Sequence, residues 1–374
     1  MIKNKLWVIA CLAIASCGFV ATKGPAEVSL KKVFKDDFYI GAALNGRQVM
    51  GREPKATAII AQQFNSISPE NVLKWESIHP QPDKYNFAPA DAYVAFGDKH
   101  DMFVVGHNLV WHSQTPDWVF EDAQGNAAGK EALQQRMADH INTVAGRYKG
   151  KIDGWDVVNE ALNDDGTLRE SKWYKIIGEE YLADAYKLAH NADPNAELYY
   201  NDYNLWKPAK RDGAIRLVKD LQEKGLKVDG IGMQGHWGLE SPSIKQIEES
   251  IVAFSKLGKV MITELDIDVL PNPSHRSGAD IDATFASDEK YNVYKNGLPD
   301  SVQQQLAQRY ADIFALFHKH RDKISRVTFW GVTDADSWLN NWPMKGRTSY
   351  PLLFDRNYQP KPALKAIINS VSKN

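Results

Sequence analysis

The chain has 374 residues, and its 45 Lys and Arg nearly balance 47 Asp and Glu. That near-neutrality speaks against a nucleic-acid partner, because a phosphate backbone needs a basic surface to displace its counterions. Both cysteines, Cys11 and Cys17, fall at the start of the chain, so the remainder holds no disulfide, cysteine nucleophile or cysteine-based zinc site.

The first segment reads as an export signal. Lys3 and Lys5 precede a short apolar run, Leu6 to Ile14, too short to cross a bilayer comfortably. It ends in Ile14-Ala15-Ser16-Cys17, and small residues before a cysteine resemble the lipobox of bacterial lipoproteins. The expectation is a signal peptide over 1–16, with Cys17 as the lipid anchor of a Gram-negative outer-membrane lipoprotein. An ordinary signal peptide, leaving a periplasmic or secreted protein, is the alternative. Residues 17–30 carry Gly, Pro, Lys and Thr and read as a tether. Residues 31–374 read as one domain, without internal repeats and expected to be monomeric.

Within that domain short apolar runs alternate with longer amphipathic stretches. Strands are predicted at Tyr39–Ala43, Phe64–Ser68, Met102–Gly106, Gly154–Val158, Glu197–Asn201, Gly230–Gln234, Val260–Glu264 and Val327–Gly331. Helices are predicted at Lys130–Tyr148, Tyr174–Asn191, Ala209–Lys224 and Ser301–Lys319. In the last of these, Leu306, Tyr310, Ile313, Phe314 and Phe317 recur at helical spacing. Eight strand–helix units predict a parallel sheet closed into a (β/α)8 TIM barrel. The competing open sheet announces itself with a glycine-rich phosphate turn, which Gly41–Gly46 does not form. One stretch breaks the rhythm: Pro271–Pro299 follows the seventh strand with no apolar period, a long loop on the face where barrel enzymes do chemistry.

Strand ends in a barrel deliver the reactive groups. The fourth ends in Asn159-Glu160 and the seventh in Thr263-Glu264-Leu265-Asp266. Two glutamates at the ends of well-separated strands supply what glycoside hydrolysis needs: one carboxyl to protonate the leaving oxygen, another to attack or to activate water. The 11 Trp agree with a carbohydrate ligand, since an indole face suits the apolar face of a sugar, although most aromatics of any domain are core. Tyr199 and Tyr200 lie within the fifth strand and read as core. His107 and His112 have no third ligand at metal-site spacing, so no metal or other cofactor is expected.

Trp155–Glu160, Ile262–Asp266, Glu70–Trp75, Gly106–His112, Asn201–Asn204, Gly232–His236, Phe329–Asp334 and Asp336–Trp338 together resemble the endo-1,4-β-xylanases of glycoside hydrolase family 10. The resemblance runs from about Phe38 to Ala366. It implies a retaining hydrolase of xylan and xylo-oligosaccharides, with Glu160 as acid/base and Glu264 as the nucleophile that forms a covalent glycosyl-enzyme. Asn159, His236 and Asp266 would support them. Glu70, Asn71, Lys74 and His107 would bind sugars on the non-reducing side. Trp111, Trp330 and Trp338 would wall the ring at the cleavage point, with Gln234 beside it and Tyr203 towards the leaving group. Trp338 is the candidate for bulk that excludes the hydroxymethyl group of glucose. The Pro271–Pro299 loop is expected to shape the leaving-group side or the nearby non-reducing subsites. With no binding module visible and a lipid anchor expected, short xylan fragments are the expected substrate.

Overall fold

A computed structural model describes residues 29–272 and 279–371. The segment expected to be an export signal, Cys17 as the expected lipid anchor, and all but the end of the expected tether lie outside the described residues. Leu30, expected in the tether, is fully buried at the start of a short helix and donates its backbone N–H to Gln63. The folded body therefore begins before residue 31.

Nine strands follow: β1 (Tyr39–Leu44), β2 (Ser66–Pro69), β3 (Phe103–Trp111), β4 (Gly154–Asn159), β5 (Glu197–Asp202), β6 (Gly230–Met233), β7 (His236–Gly238), β8 (Lys259–Asp268) and β9 (Ile324–Phe329). All pairings are parallel. β1 pairs with both β2 and β9, and β6 pairs with β8, so eight strands close into a ring. β7 stands outside it, a short extension that pairs only with the end of β8. The predicted (β/α)8 barrel is the observed fold, and each of the eight predicted strands overlaps a barrel strand.

The interior of the ring is packed rather than hollow, as barrel cores are. Gly106 on β3 lies against the Trp155 indole, which a Cβ at that position would overlap. Tyr199 and Tyr200 are buried, as expected, and the buried Arg326 guanidinium stands 5.3 Å from the rings of both Phe103 and Tyr199. Outside the ring, helices lay their apolar faces on the strands. Asp300–Lys319 buries the five residues that the spacing singled out. One predicted helix is broken. Tyr174–Asn191 is instead two helices, Lys172–Ile177 and Glu180–Ala192, separated at Gly178 with φ 95°. Its apolar period runs through the break, but the left-handed turn that glycine permits redirects the chain.

Candidate active site

Strand pairing shifts register beside the reactive residues: between Asp156 and Val158 on β4, His107 and Val110 on β3, and Ile262 and Leu265 on β8. Such irregularities re-aim side chains at a barrel rim. Glu160 follows β4 with φ 58°, a left-handed backbone that costs a non-glycine residue about 1–2 kcal/mol. Its backbone N–H donates to Asn201 O at 2.9 Å and its carbonyl accepts from Arg169 Nε at 3.1 Å. Those contacts hold the strained turn, and the side chain enters the mouth of the barrel.

The two glutamates are almost equally buried, at 4 % and 5 % exposure, yet their surroundings differ in sign. Glu160 accepts from Trp111 Nε1 at 2.9 Å and from Gln234 Nε2 at 2.8 Å. Burial, helped by the negative charges of Asp202 and Glu264, outweighs those bonds and raises its pKa to about 7. Burial pushes Glu264 the same way, but His236, His107 and Asn201 prevail and hold it below the usual glutamate range. Asn201 Nδ2 reaches Glu264 Oε1 at 2.7 Å, and His236 Nε2 lies 3.1 Å from Oε2. The other imidazole nitrogen meets Asp266 at 2.9 Å. One carboxyl is thus set to carry a proton near neutrality and the other to stay ionised.

Around this pair the structure gathers most of the residues singled out in the sequence. Glu70, Asn71, Lys74, His107, Trp111, Asn159, Gln234, His236, Trp330 and Trp338 line one compartment with both glutamates. Asn159 Oδ1 accepts from Asn201, which leaves its amide nitrogen as the end available to a ligand. Gln234 Oε1 is buried without a hydrogen-bond partner, an acceptor suited to a sugar hydroxyl. Lys74 bonds Asn71 at 3.0 Å and Gln114 at 2.8 Å, and stands 5.0 Å from the Trp111 ring. Burial lowers its pKa. His107 Nδ1 is fixed by Asp156 at 2.9 Å, and its ring meets Trp330 edge-on.

Two sequence candidates stand back from the compartment. Asp266 lies behind it, accepting from Trp338 Nε1 at 2.7 Å. Tyr203 is buried; its hydroxyl accepts from Arg169, and Lys210 Nζ sits 3.7 Å from its ring. Its neighbour Asn204 lines a separate groove that runs past Trp206, His236 and Trp338. The long loop after β8 comes to the other side, where Ala279 and Ile281 line the compartment with Glu70 and Lys74. It is not wholly structureless, since it contains a 3-10 turn at Glu289–Tyr291.

Sequence reasoning missed Asn201, Gln114 and Arg169 as site residues. Asn201 sat inside a quoted motif, but only the fold reveals that it touches both Asn159 and Glu264. Among the described residues no group of three His, Cys, Asp or Glu could hold a metal ion.

Comparison with known proteins agrees with this geometry. Residues 29–370 match glycosyl hydrolase family 10. The chain is 46% identical over 350 residues to endo-1,4-beta-xylanase A of Xylanibacter ruminicola, covering 93% of this chain and 95% of that one. It is 43% identical to a beta-1,4-xylanase of Dictyoglomus thermophilum, covering 98% and 99%. Among solved structures, a GH10 endoxylanase from a sugarcane soil metagenome superposes with TM-score 0.87 at 46% identity, covering 92% of this chain and all of that one. The xylanase XynB of Paenibacillus barcinonensis, complexed with a conduramine derivative, gives 0.83 at 40% identity, covering 92% and 99%. With the family matched over nearly the whole described barrel and both glutamates at its mouth, this chain belongs to glycosyl hydrolase family 10.

Proposed function

We propose that this protein is an endo-1,4-β-xylanase that cleaves xylan and xylo-oligosaccharides with retention of configuration. The observation that carries the reading is the family match, with xylanases among the most similar relatives, over a barrel whose mouth holds two carboxyls of opposite electrostatic setting: Glu160 raised to about 7 and Glu264 held low. In the first step Glu264 attacks the anomeric carbon while Glu160 passes its proton to the leaving oxygen. The glycosidic bond breaks and an ester to Glu264 forms. In the second step Glu160, now ionised, takes a proton from water, which attacks the same carbon and releases Glu264. The positive charge shared by His236 steadies Glu264 as leaving group, and Asn159 donates to the sugar 2-hydroxyl as charge builds on the ring. Glu70, Asn71, Lys74 and His107 bind the non-reducing side, Trp111, Trp330 and Trp338 wall the reacting ring, and Gln234 accepts from it. Tyr203 acts through Arg169 towards the leaving group.

Proton NMR of a xylo-oligosaccharide digest tests this: the β-anomer appears first for retention, and initial α-anomer overturns the nucleophile assignment. Glu264→Ala abolishes turnover of soluble xylan; on an aryl xylobioside azide rescues Glu160→Ala as the β-glycosyl azide, whereas azide standing in for the nucleophile in Glu264→Ala gives the α-glycosyl azide. Xylan hydrolysed no faster than carboxymethyl-cellulose overturns the substrate.

Export as an outer-membrane lipoprotein, anchored through Cys17, is part of the same proposal and is supported by the Ile14–Cys17 sequence. Palmitate labelling that survives in Cys17→Ala removes the anchor.

A further inference from the structure

In the closed ring β3 and β8 stand opposite one another, four strands apart by either route. The loops that follow them nevertheless meet. Ser113, just past the end of β3, donates from Oγ to Oδ2 of Asp282, in the long loop after β8, at 2.9 Å. Beneath that contact Ala279 and Ile281 face the compartment that also holds Glu70, Lys74 and Gln114. The hydrogen bond therefore spans the barrel mouth over the half where β2 delivers Glu70 and β9 delivers Trp330, which is the non-reducing side of the proposed site.

The far abutment of this bridge is fastened to the wall of the cleavage point. Trp342 Nε1 donates to Asp280 O at 3.0 Å, and Phe285 N donates to Pro343 O at 3.0 Å. Trp342 in turn stacks on Trp338 with ring centres 4.7 Å apart. At the near abutment, Gln114 follows Ser113 directly and holds Lys74. The compartment that holds both glutamates measures about 170 Å³, and the separate groove past Trp338, Trp206 and Tyr294 about 920 Å³.

A polymer lying through such a cleft has to pass beneath a closed strap, or wait for the strap to open. A free non-reducing end only has to slide under it. We propose that Ser113 and Asp282 form a size-selecting bridge that favours xylo-oligosaccharides and chain ends over chain interiors. The proposal rests on the xylan-cleaving reading above and adds a preference that the two glutamates do not dictate. Asp282 is exposed, so its bond to Ser113 competes with water and opens at low cost. Internal cleavage is slowed by the bridge, not prevented.

Ser113→Ala and Asp282→Ala test it, with kcat/KM measured on soluble xylan and on xylotetraose and early products sized by chromatography. The xylan-to-xylotetraose ratio rises about threefold to tenfold in each variant, the gain expected from releasing one partly solvent-exposed hydrogen bond. Early products from xylan also lengthen. A ratio and product sizes unchanged in both variants, with melting temperatures showing them folded, overturn the bridge as a selector. So does an equal fall on both substrates, which marks the contact as scaffold. An unaltered enzyme that cleaves neither substrate overturns the function beneath the proposal, and that outcome is visible before any variant is made.

Discussion

His236 stands 3.1 Å from Glu264 through Nε2 while Asp266 holds its Nδ1 at 2.9 Å. Burial works against charge on the ring, but Asp266 and Glu264 together raise its pKa to about 10. The imidazole is therefore a cation with both nitrogens donating, one to each carboxylate. That fixes the protonation of the site around Glu264 from mildly acidic to alkaline pH.

Replacing the ring removes a charge-assisted donor aimed at the nucleophile. His236→Asn is expected to lower kcat/KM by about a hundredfold to a thousandfold, the usual cost of one such donor. Glu264 must be ionised to attack, so activity disappears as pH falls through its pKa. With His236 gone that pKa rises, and the acidic limb of the kcat/KM profile moves to higher pH. A limb that stays in place removes His236 as the cause of the low pKa.

The alkaline limb belongs to Glu160, which must be protonated for the first step. With its pKa at about 7, kcat/KM falls as pH rises through that value. Trp111 Nε1 stabilises the ionised form. Trp111→Phe takes that bond away, so Glu160 holds its proton longer and the alkaline limb moves upward. A shift to lower pH contradicts the assignment of Glu160 as the acid.

The same raised pKa costs stability. An unfolded Glu160 ionises near 4.5 and the folded one near 7, so folding is penalised increasingly between those values and by a constant amount above them. At pH 8 the penalty is about 3 kcal/mol, at 1.36 kcal/mol per pKa unit. Glu160→Gln removes the charge, and Gln234 can turn its unpartnered Oε1 towards the new amide. The variant is expected to melt several degrees above the unaltered protein at pH 8, with the gap closing by pH 4.5. Calorimetry at the two pH values checks it, and a gap independent of pH contradicts the cause.

Asn201 links the two halves of the site. Its Nδ2 donates to Asn159 Oδ1 and Glu264 Oε1, and Thr263 Oγ1 holds its own oxygen at 2.6 Å. Asn201→Ala frees the Asn159 amide and strips a donor from the nucleophile, so kcat is expected to fall about a hundredfold, and the melting temperature falls as well because Thr263 Oγ1 loses its buried acceptor. Asn201→Asp is worse, because it sets a carboxylate against Glu264. Steady-state kinetics on an aryl xylobioside measures both, and a loss confined to KM assigns Asn201 to ground-state binding.

Asn201 also marks where legibility in the sequence ends. Glu160 and Glu264 could be picked out because each closes an apolar run, and in a barrel a strand's end is a location. Asn201 closes a run as well, but its use depends on β5 lying between β4 and β6, a pairing that no local pattern encodes. The bridge from Ser113 to Asp282 was hidden for the same reason, since two irregular loops carry no periodicity to align them. Gly178 was hidden differently: the helical period continues through it, and a single positive φ does the breaking. The barrel itself was legible because eight apolar runs are a repeated, local signal.

Trp338 offers the last test, and the structure gives it two consequences at once. Its indole walls the compartment while its Nε1 donates to Asp266 at 2.7 Å, so truncation opens space and also unpins the group that holds His236. Trp338→Ala is therefore expected to lower kcat/KM on aryl xylobiosides by about tenfold or more through the lost donor. The same loss applies to aryl cellobiosides, so it cancels in the ratio of the two. What does not cancel is the room made for a hydroxymethyl group, and the cellobioside-to-xylobioside ratio should rise. Trp338→Phe separates the effects: it deletes the donor but keeps most of the bulk, so activity falls while the ratio stays near its original value. A ratio unchanged in Trp338→Ala removes Trp338 as the element that rejects glucose.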